Sequence, residues 1–276
     1  MRQNNIPFLK MHGLGNDFVI VDQRAVDYSI TSEQVQQIAN RRLGVGCDQF
    51  IIIEKNTEAQ ALMHIFNSDG TKAGACGNAT RCVAWLLLEE SKNNSVCIMT
   101  PSGLTKGFRD GDHKVKIDMG KPRLSWQEIP LSQETNTLNM GISQDILANP
   151  VGVSMGNPHA VFFVDKVDQI PLEKLGPYFE HHPLFPERAN IEIVEVEGPT
   201  SLRMRVWERG SGITPACGTG ACASLVAAVR RKMIPGRKAD LILDGGILNI
   251  EWREDDGHVM MAGPVAFSFS GTIPRL

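Results

Sequence analysis

The chain has 276 residues, of which 42% are hydrophobic, and a formal net charge of −3. This length predicts one large domain or two modest domains with real hydrophobic cores. The near-neutral charge, without long basic or acidic runs, gives no electrostatic support for binding nucleic acid or an anionic membrane. The N-terminal residues do not resemble a secretion signal and no apolar run approaches membrane-spanning length, so we expect a cytoplasmic protein.

The predicted secondary structure consists mainly of short strands, with four helices between them. Thr31 and Gln34 have the spacing of a capping box, which predicts a helix from there to Arg42. A second surface helix is predicted at 172–181. The helices that follow Cys76 and Cys217 are apolar nearly all round, which is typical of helices enclosed by strands. Strands are predicted at 18–22, 50–54, 62–66, 96–100, 115–119, 161–164, 191–196, 202–207, 241–243, 248–252 and 259–261.

The six cysteines are expected to be free thiols, because a cytoplasmic chain of this length does not need a disulfide framework. No two of them have the C-x2-C spacing of a zinc site, so no metal site is predicted. Cys47, Cys82, Cys97 and Cys222 are interpreted as small buried hydrophobic residues.

The motif around Cys76 recurs around Cys217, 141 positions later: residues 75–82 are ACGNATRC and residues 216–222 are ACGTGAC. Three more blocks pair at this offset, and four blocks in one register indicate an internal duplication. The sequence therefore predicts two similar α/β halves related by a pseudo-twofold axis, each with a sheet around a central helix, whose equivalent loops meet at one cleft. The three further pairs are Gly15-Asn16 with Gly156-Asn157, Gln49 with Asn190, and Phe66-Asn67 with Trp207-Glu208.

Each repeated motif places a cysteine and then a glycine at the start of a helix, where backbone N–H groups favour a thiolate and bind anions. Two such thiols suit a reaction that removes a proton from one face of a carbon and returns it to the other face. The N–H groups of Gly77, Asn78, Gly218 and Thr219 would hold the carboxylate of an amino acid and stabilise the developing negative charge.

These motifs resemble those of the diaminopimelate epimerase family. The resemblance implies cofactor-independent interconversion of LL- and meso-2,6-diaminopimelate, in lysine and peptidoglycan-precursor synthesis. It also implies a homodimer and a fold whose last strand returns to the first half, so that residues 1–119 and 265–276 form one half and residues 120–264 form the other. The segments that carry the resemblance are 11–18 (MHGLGNDF), 44–49 (GVGCDQ), 66–70 (FNSDG), 154–159 (SMGNPH), 186–190 (PERAN), 208–210 (ERG) and 216–222 (ACGTGAC).

The resemblance assigns roles to individual residues. It implies that Cys76 is the proton donor and Cys217 the proton acceptor, with His159 and Glu208 in supporting positions. Phe269 stands where the family usually has a tyrosine implicated in the dimer contact. The family reads CGNGARC at the first cysteine, whereas this chain has Ala79-Thr80 in the middle, and we expect activity to survive this departure. Substrate contacts are implied for Asn16, Gln49, Asn67, Gly77, Asn78, Asn157, Asn190, Glu208, Arg209, Gly218 and Thr219.

Three other functions are weighed against this one. A related racemase acting on proline or hydroxyproline is disfavoured, because proline has no distal amino-acid group for Arg209 and the amides to recognise. A non-enzymatic thiol switch would instead form a reversible disulfide between Cys76 and Cys217. A pyridoxal-phosphate enzyme is disfavoured because no lysine lies in a repeated motif.

Overall fold

A computed structural model describes residues 5–74 and 76–274 of the chain. Four α-helices are present in this part: Ser32–Ala39 (α1), Gly77–Ser91 (α2), Leu172–Glu180 (α3) and Gly218–Arg230 (α4). The strands are Ile6–Gly13 (β1), Asn16–Asp22 (β2), Gln49–Glu54 (β3), Ala61–Asn67 (β4), Ser95–Thr100 (β5), Gly103–Arg109 (β6), Lys114–Asp118 (β7), Ser143–Gln144 (β8), Leu147–Ala148 (β9), Val151–Ser154 (β10), Pro158–Phe163 (β11), Asn190–Gly198 (β12), Ser201–Glu208 (β13), Gly212–Ile213 (β14), Lys238–Leu243 (β15), Gly246–Trp252 (β16), Val259–Pro264 (β17) and Ala266–Ile273 (β18).

The chain forms two compact units. The first contains the chain up to Ile117 together with the segment from Gly263 onward, and the second is the continuous segment Asp118–Ala262. The division predicted from the sequence, at 119/120 and 264/265, differs from these boundaries by two residues at each point.

The sheet of the first unit curves around helix α2. Its strands follow the order β7-β6-β5-β4-β3-β2-β1-β18, with parallel pairing of β2 with β3 and of β4 with β5. Helix α2 contacts β1 near one end of this order and β5 and β6 near the other. One helix can reach both ends only if the sheet bends around it, so the apolar faces of α2 are covered on several sides.

The second unit has the same arrangement. Its strands follow the order β10-β11-β12-β13-β15-β16-β17, with parallel pairing of β11 with β12 and of β13 with β15. Helix α4 contacts strands from β10 to β16 and is buried from Gly218 to Ala228. Its small apolar side chains allow close approach of the surrounding strands, and the first charged side chain of the helix is Arg230 at its last turn.

Strand registers in the two units confirm the internal repeat. Phe18 pairs with Gln49 in the first unit, and His159 pairs with Asn190 in the second, so both partners are shifted by 141 positions. After the enclosed helices the shift becomes 143, because Thr100 pairs with Gly103 and Leu243 pairs with Gly246. The repeated motifs therefore occupy equivalent places in two similar folds.

The predicted helices are present, with one shorter than expected. Thr31 accepts the Gln34 N–H and Gln34 accepts the Thr31 N–H, so the capping box is confirmed. The expected end at Arg42 is wrong: α1 ends at Ala39, because the Asn40 side chain accepts the N–H groups of Arg42 and Leu43 and turns the chain. Within the described residues, no helix is long and apolar enough to cross a membrane.

The sequence patterns did not predict several strands. Strand β1 contains buried Lys10, which pairs with Asp17 of β2 at 2.5 Å, and β6 contains two glycines, so neither has a clear apolar pattern. All six cysteines are free thiols, as expected. The interpretation of Cys97 as a buried residue is wrong, since it lies partly exposed on β5. The other strands missing from the prediction are β8, β9, β10, β14 and β18.

Gly176 of α3 provides a test of packing in the second unit. A Cβ atom here would lie 2.5 Å from Cγ and Cδ2 of Trp207, whose indole N–H is held by Glu180 at 2.6 Å. We expect Gly176→Ala to lower the free energy of unfolding by about 1–3 kcal/mol, because the ring cannot move without losing this bond. Urea denaturation measures this change. Gly236→Ala is the control, since a Cβ there meets no atom within 4 Å, and equal stability of the two variants would contradict the packing argument.

Candidate active site

Cys76 is the N-cap residue of α2 in the first unit. Its sulfur accepts the Ala79 N–H at 3.4 Å, and its thiol donates to Asn16 Oδ1 at 3.6 Å. The Asn78 amide donates to the same Asn16 oxygen at 3.3 Å. The side chain of Cys76 is half-buried, and the Asn16 amide that accepts its hydrogen bond is neutral. A backbone N–H at a helix start supports a thiolate, whereas the Asn16 oxygen supports the thiol.

The departure at Ala79-Thr80 leaves the first turn of α2 intact. The Thr80 N–H and the Thr80 hydroxyl both donate to the Cys76 carbonyl oxygen at 2.9 Å. Ala79 and Thr80 are both buried. Cys76 therefore remains the N-cap with these residues in place of the family's Gly-Ala.

A second group of amides lies at the ends of β3 and β4 in the first unit. Gln49 donates to Asn67 Oδ1 at 3.3 Å, and Asn67 donates to the Thr71 hydroxyl at 3.1 Å. The Gln49 Oε1 atom is buried and accepts no hydrogen bond from the described residues. Because an unsatisfied buried acceptor is costly, this oxygen is suited to a donor from a bound ligand.

Cys217 is the N-cap residue of α4 in the second unit and is only 6% exposed. Its sulfur lies 3.5 Å from the Thr219 hydroxyl, which accepts the Asn157 amide N–H at 3.3 Å. Burial raises the pKa of the Cys217 thiol well above its usual value, and the negative charges of Glu208 and Glu192 raise it further. The Thr219 hydroxyl and the Gly220 N–H act in the opposite direction. The resting sulfur is therefore a protonated thiol near neutral pH.

Glu208 lies near Cys217, and the thiol favours the charged form of its carboxyl group. Burial raises the pKa of its carboxyl group, the negative charge of Glu192 adds to this, and the Thr214 hydroxyl donates to its Oε1 and opposes the shift. A carboxylate with a raised pKa next to a thiol is suited to accept the thiol proton.

His159 and Glu192 form a fully buried pair on neighbouring strands β11 and β12. His159 Nδ1 lies 2.6 Å from Glu192 Oε1, and both side chains have 0% exposure. The other ring nitrogen, Nε2, lies 3.0 Å from Asn157 Oδ1. Hydrogen bonds thus connect Glu192 through His159, Asn157 and Thr219 to the sulfur of Cys217.

Asn190 and Arg209 lie together beside this group. Asn190 is buried; it accepts the backbone N–H of Arg209 and donates to the carbonyl oxygen of Pro158, both at 3.0 Å. The Arg209 side chain is exposed and donates to the Glu187 carbonyl oxygen at 2.9 Å. Asn190 thus fixes the backbone at Arg209, while the guanidinium is accessible to a ligand.

Comparison with known proteins identifies the family. A family model described as Diaminopimelate epimerase matches residues 8–125 and again residues 151–268. The chain is 50% identical over 267 residues to the diaminopimelate epimerase of Acidiphilium cryptum (strain JF-5), covering 97% of this chain and 96% of that protein. The chain belongs to the diaminopimelate epimerase family. A second relative, from Phenylobacterium zucineum (strain HLK1), has the same name and is 50% identical over 272 residues, covering 97% of this chain and 98% of that protein.

Solved structures with the same fold extend beyond diaminopimelate epimerases. A phenazine biosynthesis protein of Bacillus anthracis superposes with a TM-score of 0.68 at 16% identity, covering 98% of this chain and 99% of that one. A hydroxyproline epimerase from Agrobacterium vitis gives a TM-score of 0.67 at 16% identity, covering 99% and 93%. At this identity the likeness shows the shared two-domain α/β fold alone.

The sequence patterns of this diaminopimelate epimerase family member did not indicate three residues near the cysteines and amides: Glu192, Thr71 and Thr214. Glu192 interrupts the apolar run at 190–194, two residues after the repeated Asn190. A charged residue inside an otherwise apolar strand could have indicated a functional role. Of the predicted residues, Phe269 lies on β18, a strand that carries neither cysteine. Within the described part of the chain, no three His, Cys, Asp or Glu side chains are grouped so that they could hold a metal ion.

The charge of Glu208 gives a prediction about Cys217. Glu208→Gln removes a negative charge that opposes the thiolate, so we expect the pKa of Cys217 to fall. The pH dependence of Cys217 alkylation by iodoacetamide, followed by mass spectrometry, measures this shift, with partly exposed Cys97 as an internal reference. Glu197→Gln removes an exposed carboxylate elsewhere and is the matched control. An unchanged or raised pKa in Glu208→Gln would show that this charge does not act on the sulfur.

Proposed function

We propose that this protein interconverts LL- and meso-2,6-diaminopimelate by moving the α-proton between Cys76 and Cys217. Membership of the diaminopimelate epimerase family is the strongest support for the substrate. The observation that supports the chemistry is the repeated placement of a cysteine at the N-cap of an enclosed helix, once in each unit.

The two thiols have different surroundings, which suit different roles. In the forward direction the Cys217 thiol gives its proton to Glu208, and the resulting thiolate removes the α-hydrogen of the substrate. The Cys76 thiol then donates its proton to the opposite face of the α-carbon. The roles exchange in the reverse direction, as a reversible proton transfer requires. These steps use protons already on the protein and the substrate, so we propose that no cofactor takes part.

The helix starts would bind the reacting amino-acid group. The N–H groups of Gly77 and Asn78, and those of Gly218 and Thr219, are at the first turns of α2 and α4. A carboxylate held by such groups takes up part of the charge that develops when the α-proton leaves. This arrangement lowers the barrier without a pyridoxal ring to accept the electrons.

The distal amino-acid group would bind the amides and Arg209. The Arg209 guanidinium is able to bind a carboxylate through two parallel hydrogen bonds. The buried oxygen of Gln49 is suited to accept a hydrogen bond from an ammonium group, alongside Asn16 and Asn67. Asn157 and Asn190 belong to the same proposed set, although the Asn190 amide is already bonded to the backbone at two points. Proline has no distal amino-acid group, so a proline racemase would not need these residues.

Turnover in deuterated water tests the reaction and its two-thiol mechanism. With LL-diaminopimelate, NMR should show α-deuterium entering as the meso product forms, and added pyridoxal phosphate should have no effect. Cys76→Ala and Cys217→Ala should each lower kcat by about 10³-fold or more, because each removes one of the two proton-transfer groups.

Cys97→Ser is the matched control, because this partly exposed cysteine on β5 lies outside both cysteine motifs. Normal turnover in either alanine variant would rule out the two-thiol mechanism. A reversible disulfide between Cys76 and Cys217 without any α-proton exchange would favour the thiol-switch function instead.

We further propose that the protein is a homodimer that pairs through the edge of the first unit. Strand β18 ends the strand order of that unit and has β1 as its neighbour. Phe267 and Phe269 on this strand are each 47% exposed, and Phe269 packs edge-on against Phe8 at 6.0 Å. An edge strand with exposed aromatic side chains is an association surface unless it is covered. The cytoplasmic location expected from the sequence remains a prediction.

Phe269→Asp tests the dimer contact. A charged side chain at the centre of an apolar interface should shift the protein to a monomer at micromolar concentration, as measured by sedimentation velocity. Leu43→Asp is a control, because Leu43 is 91% exposed and lies on a different part of the first unit. A monomeric wild-type protein, or a Phe269→Asp variant that remains a dimer, would contradict the proposal.

A further inference from the structure

Three hydrogen-bond donors converge on the carboxyl group of Asp48, which lies directly before β3 in the first unit. The Asn16 side-chain amide donates to Asp48 Oδ2 at 3.0 Å, and the Asp17 backbone N–H donates to the same oxygen at 3.1 Å. The Arg41 guanidinium donates to Asp48 Oδ1 at 2.6 Å. A carboxylate has no hydrogen of its own, so it accepts all three of these bonds.

Neighbouring charges hold the Asp48 carboxylate in this position. The Arg41 guanidinium bridges Asp48 and Asp17, at 2.6 Å and 2.7 Å. The Asp48 N–H donates to Asp17 Oδ1 at 2.9 Å, and buried Lys10 pairs with Asp17 Oδ2 at 2.5 Å. Two positive and two negative side chains therefore lie together, and charge-assisted hydrogen bonds fix the direction of the carboxylate.

The Asp48 carboxylate determines which way the Asn16 amide points. Because a carboxylate only accepts, the amide nitrogen must face Asp48 and the amide oxygen must face away from it. The Asn16 oxygen accordingly accepts the Cys76 thiol at 3.6 Å and the Asn78 amide at 3.3 Å. Asp48 uses one of the two hydrogens on Asn16 Nδ2, so the amide is able to donate the other one to a substrate.

The orientation of this amide decides which form of the Cys76 sulfur it stabilises. The Asn16 oxygen accepts the hydrogen of a thiol, whereas an amide N–H in its place would donate to a thiolate. In the proposed function Cys76 returns a proton to the substrate, so the sulfur must hold that proton beforehand. The Asn16 oxygen meets this need, and it opposes the Ala79 N–H, which the sulfur accepts at the helix start.

The internal repeat shows that the fold does not require the Asp48 carboxylate. The positions equivalent to Asp48 and Asp17, 141 residues later, are Ala189 and Pro158. Alanine has no carboxylate and proline has no N–H, so neither contact can form in the second unit. The equivalent strand pairing nevertheless forms there, which indicates that the Asp48 carboxylate serves the site rather than the sheet.

The two equivalent asparagines present opposite ends of their amides toward the cysteine motifs. Asn157 donates its N–H to the Thr219 hydroxyl at 3.3 Å, and this hydroxyl lies 3.5 Å from the Cys217 sulfur. Asn16 instead presents its oxygen directly to the Cys76 thiol. A hydroxyl that accepts from an amide keeps its own hydrogen for the sulfur and favours a thiolate, whereas an amide oxygen favours a thiol.

We propose that Asp48 is a positioning residue that holds the Asn16 amide with its oxygen toward Cys76 and thereby keeps this cysteine protonated. Asp48 acts through the amide and not on the sulfur itself. The importance of this orientation for turnover rests on the proposed epimerase function. The effect on the sulfur is a property of the free protein and is measured without any substrate.

The reactivity of Cys76 in the free protein tests this role. Asp48→Asn has the same shape but is able to donate as well as accept, so the Asn16 amide can turn its nitrogen toward the sulfur. We expect the rate of Cys76 alkylation by iodoacetamide near neutral pH to rise about 10-fold, the effect of a hydrogen bond to a charged group. Peptide mass spectrometry follows the reaction, and partly exposed Cys97 in the same sample reports any general change in the protein.

Glu54→Gln is the matched control, because Asp48 precedes β3 and Glu54 ends it, and their side chains are 43% and 42% exposed. Asp48→Glu retains a group that only accepts, so Cys76 should react more slowly in this variant than in Asp48→Asn. Equal rates of Cys76 alkylation in Asp48→Asn and Glu54→Gln would overturn the proposal.

A double-mutant cycle separates the orientation of the amide from the charge of Asp48, whose loss also favours a thiolate. In an Asn16→Ala background no amide remains to be turned, so adding Asp48→Asn should change the rate of Cys76 alkylation by less than about twofold. A rise as large as that in the wild-type background would show that the charge acts on the sulfur directly. That result would overturn the role of the amide.

Turnover measurements separate this inference from the proposed function. We expect kcat of Asp48→Asn to be about 10-fold lower than that of Glu54→Gln, because a Cys76 thiolate has no proton to give. If the wild-type protein does not exchange the α-proton of LL-diaminopimelate, the proposed function fails, while the alkylation rates still decide whether Asp48 acts on Cys76. A faster alkylation of Cys76 with an unchanged kcat would refute a role of Asp48 in the reaction and leave the proposed function intact.

Discussion

The burial of the Cys217 sulfur at the start of an enclosed helix is the constraint on which the rest of the second unit depends. Burial and two nearby carboxyl groups favour the thiol, while the Thr219 hydroxyl and the Gly220 N–H favour the thiolate. A sulfur in this balance stays protonated until another group takes its proton. In the proposed function the nearby Glu208, whose carboxyl group has a raised pKa, takes this proton.

The two units use one fold to surround two thiols differently. In the first unit Cys76 is half-buried and faces the oxygen of Asn16, a neutral amide. In the second unit the equivalent asparagine, Asn157, is bonded to His159, and the sulfur faces a carboxyl group instead. Acid–base chemistry at a single carbon needs one group that gives a proton and another that takes it. The two copies of this fold have the same strand and helix arrangement, but different side chains surround the two thiols. One fold can therefore provide both groups.

Much of this organisation could be predicted from the sequence, because it depends on local signals or on the repeat. The cysteine N-caps, the capping box of α1 and the offset between the halves all follow from short motifs. Other features depend on partners that lie far away in the chain. Lys10 looks like an interruption of β1 until Asp17 is placed beside it, and Glu192 looks like a surface residue until His159 reaches it from β11. Single-sequence patterns carry no information about such pairings.

The return of strand β18 to the first unit has a consequence for synthesis of the chain on the ribosome. Strand β1 pairs with both β2 and β18, yet β18 is translated after all the other described strands. The second unit is a continuous segment and has all of its strands before β18 emerges. The first unit, although begun first, is therefore completed after the second, and the open edge of β1 is exposed to wrong partners until β18 has been made.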